Sequence, residues 1–193
     1  LSLFLFIYKI YIYNRFIYMG VDKVKHESNK VNELIITDSN LTFKEIYAKS
    51  YFPKELEEDV KKANFLLIPY DGFKSLNAPV FPEDTMKFYQ FIKESSNHEF
   101  IGEICIADEE YAELELHSDL ITLAAMLLDK AVLPIAIGLI TNYIDRKVQQ
   151  RKTDVKVKVN MTVVDGDKST SISYEGDADK FEETIKAAKE FNN

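Results

Sequence analysis

One stretch limits the possible folds more than any other: Leu120 to Ile144, LITLAAMLLDKAVLPIAIGLITNYI. Read as a helix, it is apolar on all sides, and such a helix is buried in protein or in lipid. Ser118 or Asp119 can cap its start, because either side-chain oxygen can accept an orphan backbone N–H. A membrane span needs about 18 uninterrupted apolar residues. Here Asp129-Lys130 breaks the run, and each charge is costly at a bilayer centre. Pro134 removes a backbone donor and predicts a kink or a helix restart. The expectation is therefore a long, interrupted helix buried against protein, with a spanning helix as the alternative. The basic residues that follow, from Arg146 to Lys152, suit either case. They match a cytoplasmic membrane flank, and equally a helix C-terminus whose dipole favours cations.

The rest of the composition narrows the class. The 193 residues are 46% hydrophobic and 29% charged, as expected of a folded chain. The formal net charge of −8 argues against broad nucleic-acid binding, which needs Lys and Arg to neutralise phosphates. Cys105 is the one cysteine, so no intrachain disulfide can form.

Residues 1–18, LSLFLFIYKIYIYNRFIY, do not open like a signal peptide, because the charges Lys9 and Arg15 lie inside the apolar run. Their residue set has AT-rich codons. The expectation is translated upstream sequence with Met19 as the natural start, and a membrane anchor is the alternative. Residues 21–30 are polar and read as a lead-in.

From residue 31 the patterns predict an α/β protein. Val31–Thr37 is a short strand, Thr42–Ser50 a helix, and Pro53 opens a second helix ending at Asn64. Phe65 to Pro69 is a continuous apolar run suited to the centre of a parallel sheet. Pro82-Glu83-Asp84 starts a further helix, and Phe100 to Ala107 is a third strand. Beyond the basic tail the period becomes two. Val155, Val157, Val159, Met161 and Val163 alternate with polar residues, predicting a strand with one wet face. Asp165-Gly166 marks a hairpin turn, and the return strand places Thr170, Ile172 and Tyr174 together. Asp179 and Glu182 have capping-box spacing for a last helix. The expected organisation has four parts. They are a lead-in (1–30), a small three-layer α/β unit with a short parallel sheet (31–117), the long apolar helix with its basic end (118–152), and a β-hairpin closed by a C-terminal helix (153–193).

Open α/β sheets bind ligands beyond the carboxyl ends of their strands. Asp38, Asp71 and Asp108 are expected there, and a polar ligand site across the three is one reading. The other is that turns use Asp anyway. Asp108, Glu113 and His117 lack a specific metal-ligand spacing, so no metal or cofactor is expected. Cys105, between two isoleucines, reads as a buried structural thiol. His26 and His98 have no nucleophile beside them. No G-x-G-x-x-G and no P-loop pattern occurs. Arg146, Lys147, Arg151, Lys152, Lys156 and Lys158 form a candidate surface for an acidic partner or an anionic membrane.

Four features in a row close the chain: the apolar helix Leu133–Ile144, the basic segment Arg146–Lys152, the hairpin Val155–Tyr174 around Asp165-Gly166-Asp167, and the short helix Asp179–Phe191. This block resembles the small effector-associated constant component proteins of bacterial conflict systems. The resemblance covers about a third of the chain, and its motifs are generic. It implies a helix that often spans a membrane and an accessory role coupling sensing or effector parts. It carries over no catalytic residues. The expected function is a non-enzymatic accessory or adaptor protein, cytoplasmic or held at a membrane through residues 120–144. Its partner would be another protein or a second copy. The alternative is a small enzyme or nucleotide-binding domain using the three strand ends.

Overall fold

The structure is a computed structural model that describes residues 9–11, 32–71, 78–115, 120–150 and 155–190. The elements in chain order are β1 (Lys9–Tyr11), β2 (Glu33–Ser39), α1 (Phe43–Tyr47), α2 (Glu57–Lys62), β3 (Phe65–Ile68), β4 (Phe81–Pro82), α3 (Thr85–Ser95), β5 (Gly102–Ile104), β6 (Glu113–Leu114), β7 (Leu120–Thr122), β8 (Ala125–Asp129), α4 (Leu133–Gln149), β9 (Lys156–Asp165), β10 (Lys168–Asp177) and α5 (Phe181–Glu190). The rest of the expected lead-in, and the anchor or upstream reading of residues 1–18, lie outside the described residues apart from β1.

Eight of these strands form one mixed sheet in the order β1-β2-β10-β9-β8-β3-β5, with β7 also pairing β9. Only β3–β5, β8–β9 and β7–β9 are parallel. The expected α/β class stands, but the short, purely parallel sheet is corrected. The hairpin β9–β10 does not sit beside an α/β unit. It fills the middle of the sheet, between β2 and β8.

The largest correction concerns residues 120–144. The first half is strand, and only the second half is helix. Leu127 and Leu128 point to opposite faces of β8, and both are 0% exposed. A strand with neighbours on both edges and cover on both faces must be apolar throughout. Short apolar runs of this kind have no period that separates them from a buried helix. Asp129 ends β8, and its side chain accepts the Ala131 N–H at 2.8 Å. That contact starts the single 3₁₀ turn Lys130–Val132 leading into α4. Pro134 lies in the first turn of α4, where its missing N–H costs nothing, so it neither kinks nor restarts a helix. Lys130 reaches Asp165 at the hairpin tip, 2.8 Å away. Among the described residues no helix is long and apolar enough to cross a membrane.

The hairpin register follows the alternation read from the sequence. Val155, Val157, Val159, Met161 and Val163 are all buried. Ile172 and Tyr174 lie opposite Met161 and Val159 and are buried with them, whereas Thr170 is half-buried. The turn glycine, Gly166, has φ +62°, a backbone region open to glycine without steric cost. Tyr174 packs edge-on against Phe181 at the start of α5, with 5.4 Å between ring centroids. α4 packs beside α5, and α3 packs beside α4. The buried stripe of α4 is Leu133, Ala136, Ile137, Ile140, Tyr143 and Ile144, the helical spacing of one covered face. The expected Asp179 capping box is not formed. A 3₁₀ turn, Ala178–Lys180, precedes α5, and no side chain caps it. One hydrophobic cluster runs from Leu34 to Ala188 and joins all of these elements.

Candidate functional site

The strand ends do not assemble the expected polar site. β2 and β10 are antiparallel, as are β10 and β9 and also β8 and β3, whereas β9 and β8 are parallel. β2 therefore runs opposite to β3. Asp38 lies inside β2 near its C-terminal end, paired with Thr170, and Asp71 and Asp108 follow β3 and β5 at the opposite end of the sheet. Three strands (β10, β9 and β8) separate β2 from β3. Asp71 is exposed and lies 3.8 Å from Lys49, and Asp108 is exposed at the start of a 3₁₀ turn.

The basic residues are also distributed. Arg151 and Lys152 lie outside the described residues. The Arg146 guanidinium sits 4.7 Å from the centre of the Phe91 ring. Lys147 pairs with Asp84 at 2.6 Å. Lys158 pairs with Glu175 across the hairpin at 2.8 Å, and that partner raises the Lys158 pKa. Lys156 is exposed. Lys156 and Lys158 alternate with Val157 and Val159, so they point away from the sheet face that α5 covers. Among the described residues these positions form no single basic patch.

Cys105 is fully buried, and burial pushes its thiol up to about 12. That keeps it protonated and a poor nucleophile, as its place between isoleucines implies. Among the described residues no group of His, Cys, Asp and Glu is placed to hold a metal ion. His26 and His117 lie outside the described residues, and His98 is exposed beside Glu99.

A cluster that sequence reasoning missed lies where α3 begins. An open cleft of about 350 Å³, counting the solvent at its mouth, is lined by Asp84, Thr85, Phe88, Thr122, Leu123, Tyr143 and Lys147, among others. Within it, about 20 Å³ is free for the centre of a water molecule, little more than one water requires. Asp84 is the hinge of the cluster. Its backbone is left-handed, with φ 65° and ψ 10°. Aspartate is one of the few non-glycine residues that tolerate this region. Its carboxylate bridges Lys147 on α4 and Lys87 on α3, each at 2.6 Å. Lys147 is 14% exposed at its side chain. Glu113 on β6 accepts two backbone N–H groups, from Asp84 at 2.9 Å and from Met86 at 2.8 Å. The Tyr111 hydroxyl donates to the same carboxylate. The Tyr143 hydroxyl reaches the Asp84 carbonyl at 3.5 Å.

Burial is the largest single influence on the Asp84 carboxyl and would raise its pKa. The combined pull of Lys147 and Lys87 outweighs it and holds the group below the usual carboxylate range. Burial, and then Asp84 and Glu113 nearby, push Tyr143 up. The cluster is thus a closed set of acceptors and donors with room for little else. Its members are 29 and 63 residues apart in the chain. The only local hints were an acid at a helix start and a lysine in a basic tail.

The second feature is a sheet face. Cross-strand rows place Thr37, Ser171 and Thr162 together, then Ile35, Ser173 and Asn160, then Glu33, Glu175 and Lys158. Thr37 and Glu175 are exposed, Glu33, Ile35, Ser171, Ser173, Asn160 and Lys158 are half-buried, and Thr162 is buried. The Ser173 hydroxyl donates to Asn160 at 2.8 Å, and the Asn160 amide approaches the Tyr70 hydroxyl at 3.4 Å. This face is polar and built mainly of short side chains, whereas the opposite face carries the core.

Comparison with family models, with curated proteins and with solved structures finds no match to this chain.

Proposed function

We propose that the chain is a non-enzymatic accessory protein that acts by binding another protein through the polar, partly exposed face of β2, β10 and β9. The observation that carries this reading is the composition of that face. Serine, threonine and asparagine lose little rotamer freedom when covered, so ordering them at an interface costs less than ordering long side chains. The hydrogen-bonding groups on view can be satisfied by a partner's polar surface. The charged residues of the cleft, in contrast, are committed to one another, which supports a structural part for them. The sequence resemblance of residues 133–191 to effector-associated constant components supplies the setting: an accessory within a bacterial conflict system. The ion pairs of Lys147 and Lys158 favour a protein partner over an anionic membrane.

The test is co-expression of the chain with the products of its neighbouring genes, followed by isolation of any complex. Ser171→Arg places a long cation on that face and should abolish the complex without lowering the melting temperature. Asp84→Asn should leave the complex intact. If Ser171→Arg complexes normally while Asp84→Asn abolishes the complex, the reading fails and the cleft becomes the working site.

A further inference from the structure

We propose that Asp84, braced by Glu113, forms an acid-operated latch that holds the β4–β6 ladder and the start of α3 against α4. The proposal is independent of the docking face. Three segments distant in sequence meet at these two carboxylates: residues 81–88, 111–114 and 143–147. β4 pairs with β6 in a two-stranded sheet outside the main one, through Phe81↔Glu113 and Pro82↔Leu114. The chain then turns at Asp84 into α3, whose first helical bond runs from the Phe88 N–H to the Asp84 carbonyl at 3.0 Å.

The turn is held in a backbone region that non-glycine residues adopt only under external support. That support is the pair of carboxylates. Ionised Asp84 accepts from two ammonium groups, and ionised Glu113 accepts from two backbone N–H groups and one hydroxyl. A protonated carboxyl loses acceptor capacity and gains a proton that faces donors. Each half of the latch steadies the other, because both fix the same left-handed residue. The charged and titratable groups facing it are Lys87 and Glu83 at the start of α3, Lys147 and Tyr143 on α4, and Tyr111 beside β6. The cleft wall from the β7–β8 segment is Ile121, Thr122, Leu123 and Ala124, none of them ionisable. The Asp84 carboxyl lies below its ordinary value. Its contribution is therefore present above the unfolded-state pKa of about 4 and is lost as pH falls through the folded value. Opening would uncover Phe88, Leu123 and Ala124 along the cleft.

Backbone amide exchange on the full chain tests the latch, with rates divided by the intrinsic rate at each pH. Between about pH 7 and about pH 2, protection at Asp84, Met86 and the β4–β6 amides should fall severalfold, while β9–β10 amides keep theirs. Asn accepts the left-handed backbone, so Asp84→Asn removes the charge and keeps the turn. It should show the loosened pattern already at pH 7, with a flattened pH response. Glu113→Gln removes the acceptor of the Asp84 and Met86 N–H groups; it should lower protection at the same amides at pH 7 and stands in if Asp84→Asn does not fold. Equal protection at both pH values would overturn the proposal. So would a uniform loss that includes β9–β10, or protection at pH 7 unchanged in both variants.

Discussion

At the residue scale, close packing gives some positions no freedom to change. Gly102 on β5 is one of them. A Cβ built there would lie 2.1 Å from the Ile92 Cγ2 atom, and Ile92 is 0% exposed on α3. α3 can lie this close to β5 only because residue 102 has no side chain. Gly102→Ala should therefore destabilise the protein by about 1–3 kcal/mol, the usual cost of overpacking a filled core. Urea denaturation followed by circular dichroism measures it. An unchanged midpoint would show that α3 can move away from β5. The sequence marks Gly102 only as a glycine inside an apolar strand. What it meets is decided ten residues away in the chain and one layer away in space.

At the element scale, the period-two pattern of β9 was legible because one of its faces carries polar residues. Val159→Asp should cost about 4 kcal/mol or more, since it places an unpaired charge on a face with no exposure. Lys158→Asp changes a half-buried position opposite Glu175, where like charges repel weakly across strands, and should cost under about 1 kcal/mol. Comparable losses in both would contradict the register. The segment around Asp129 behaves differently from a broken span. Replacing Asp129 and Lys130 with leucine extends no helix, because Ala125–Asp129 is strand. It removes the acceptor for the Ala131 N–H, a loss worth about 1 kcal/mol. The double variant should melt lower, yet partition between supernatant and carbonate-washed membranes as the parent does. A shift into the washed membrane fraction would restore the helical reading of residues 120–144.

At the scale of the whole molecule, the C-terminal hairpin is internal to the sheet. β10 pairs β2 from Glu33 to Ser39, and β9 pairs β8 and β7. Phe181, Ile185 and Ala188 of α5 belong to the same core cluster as Leu66 and Phe88. A fragment of residues 153–193 alone would leave both edges of its hairpin unpaired, with α5 alone left to cover its valines. A two-stranded hairpin is marginal in water, so the fragment should be unfolded by circular dichroism and by amide proton dispersion. A fragment that folds and melts cooperatively would make it a unit in its own right.

Local patterns alone were enough to predict the α/β class, the hairpin with its Asp165-Gly166 turn, the strand at Phe65–Ile68 and the burial of Cys105. In each case a few adjacent residues carry the signal: a period, a turn pair or an apolar run too short for anything but a strand. The tertiary structure decided the rest. Leu120–Thr122 and Ala125–Asp129 became strands because neighbouring strands supplied hydrogen bonds that no local period encodes. Asp38, Asp71 and Asp108 were separated by strand direction, which depends on how distant strands pair. Asp84, Glu113 and Lys147 were joined because α3, β6 and α4 converge there, and electrostatic attraction acts on distance in space, whatever the separation along the chain.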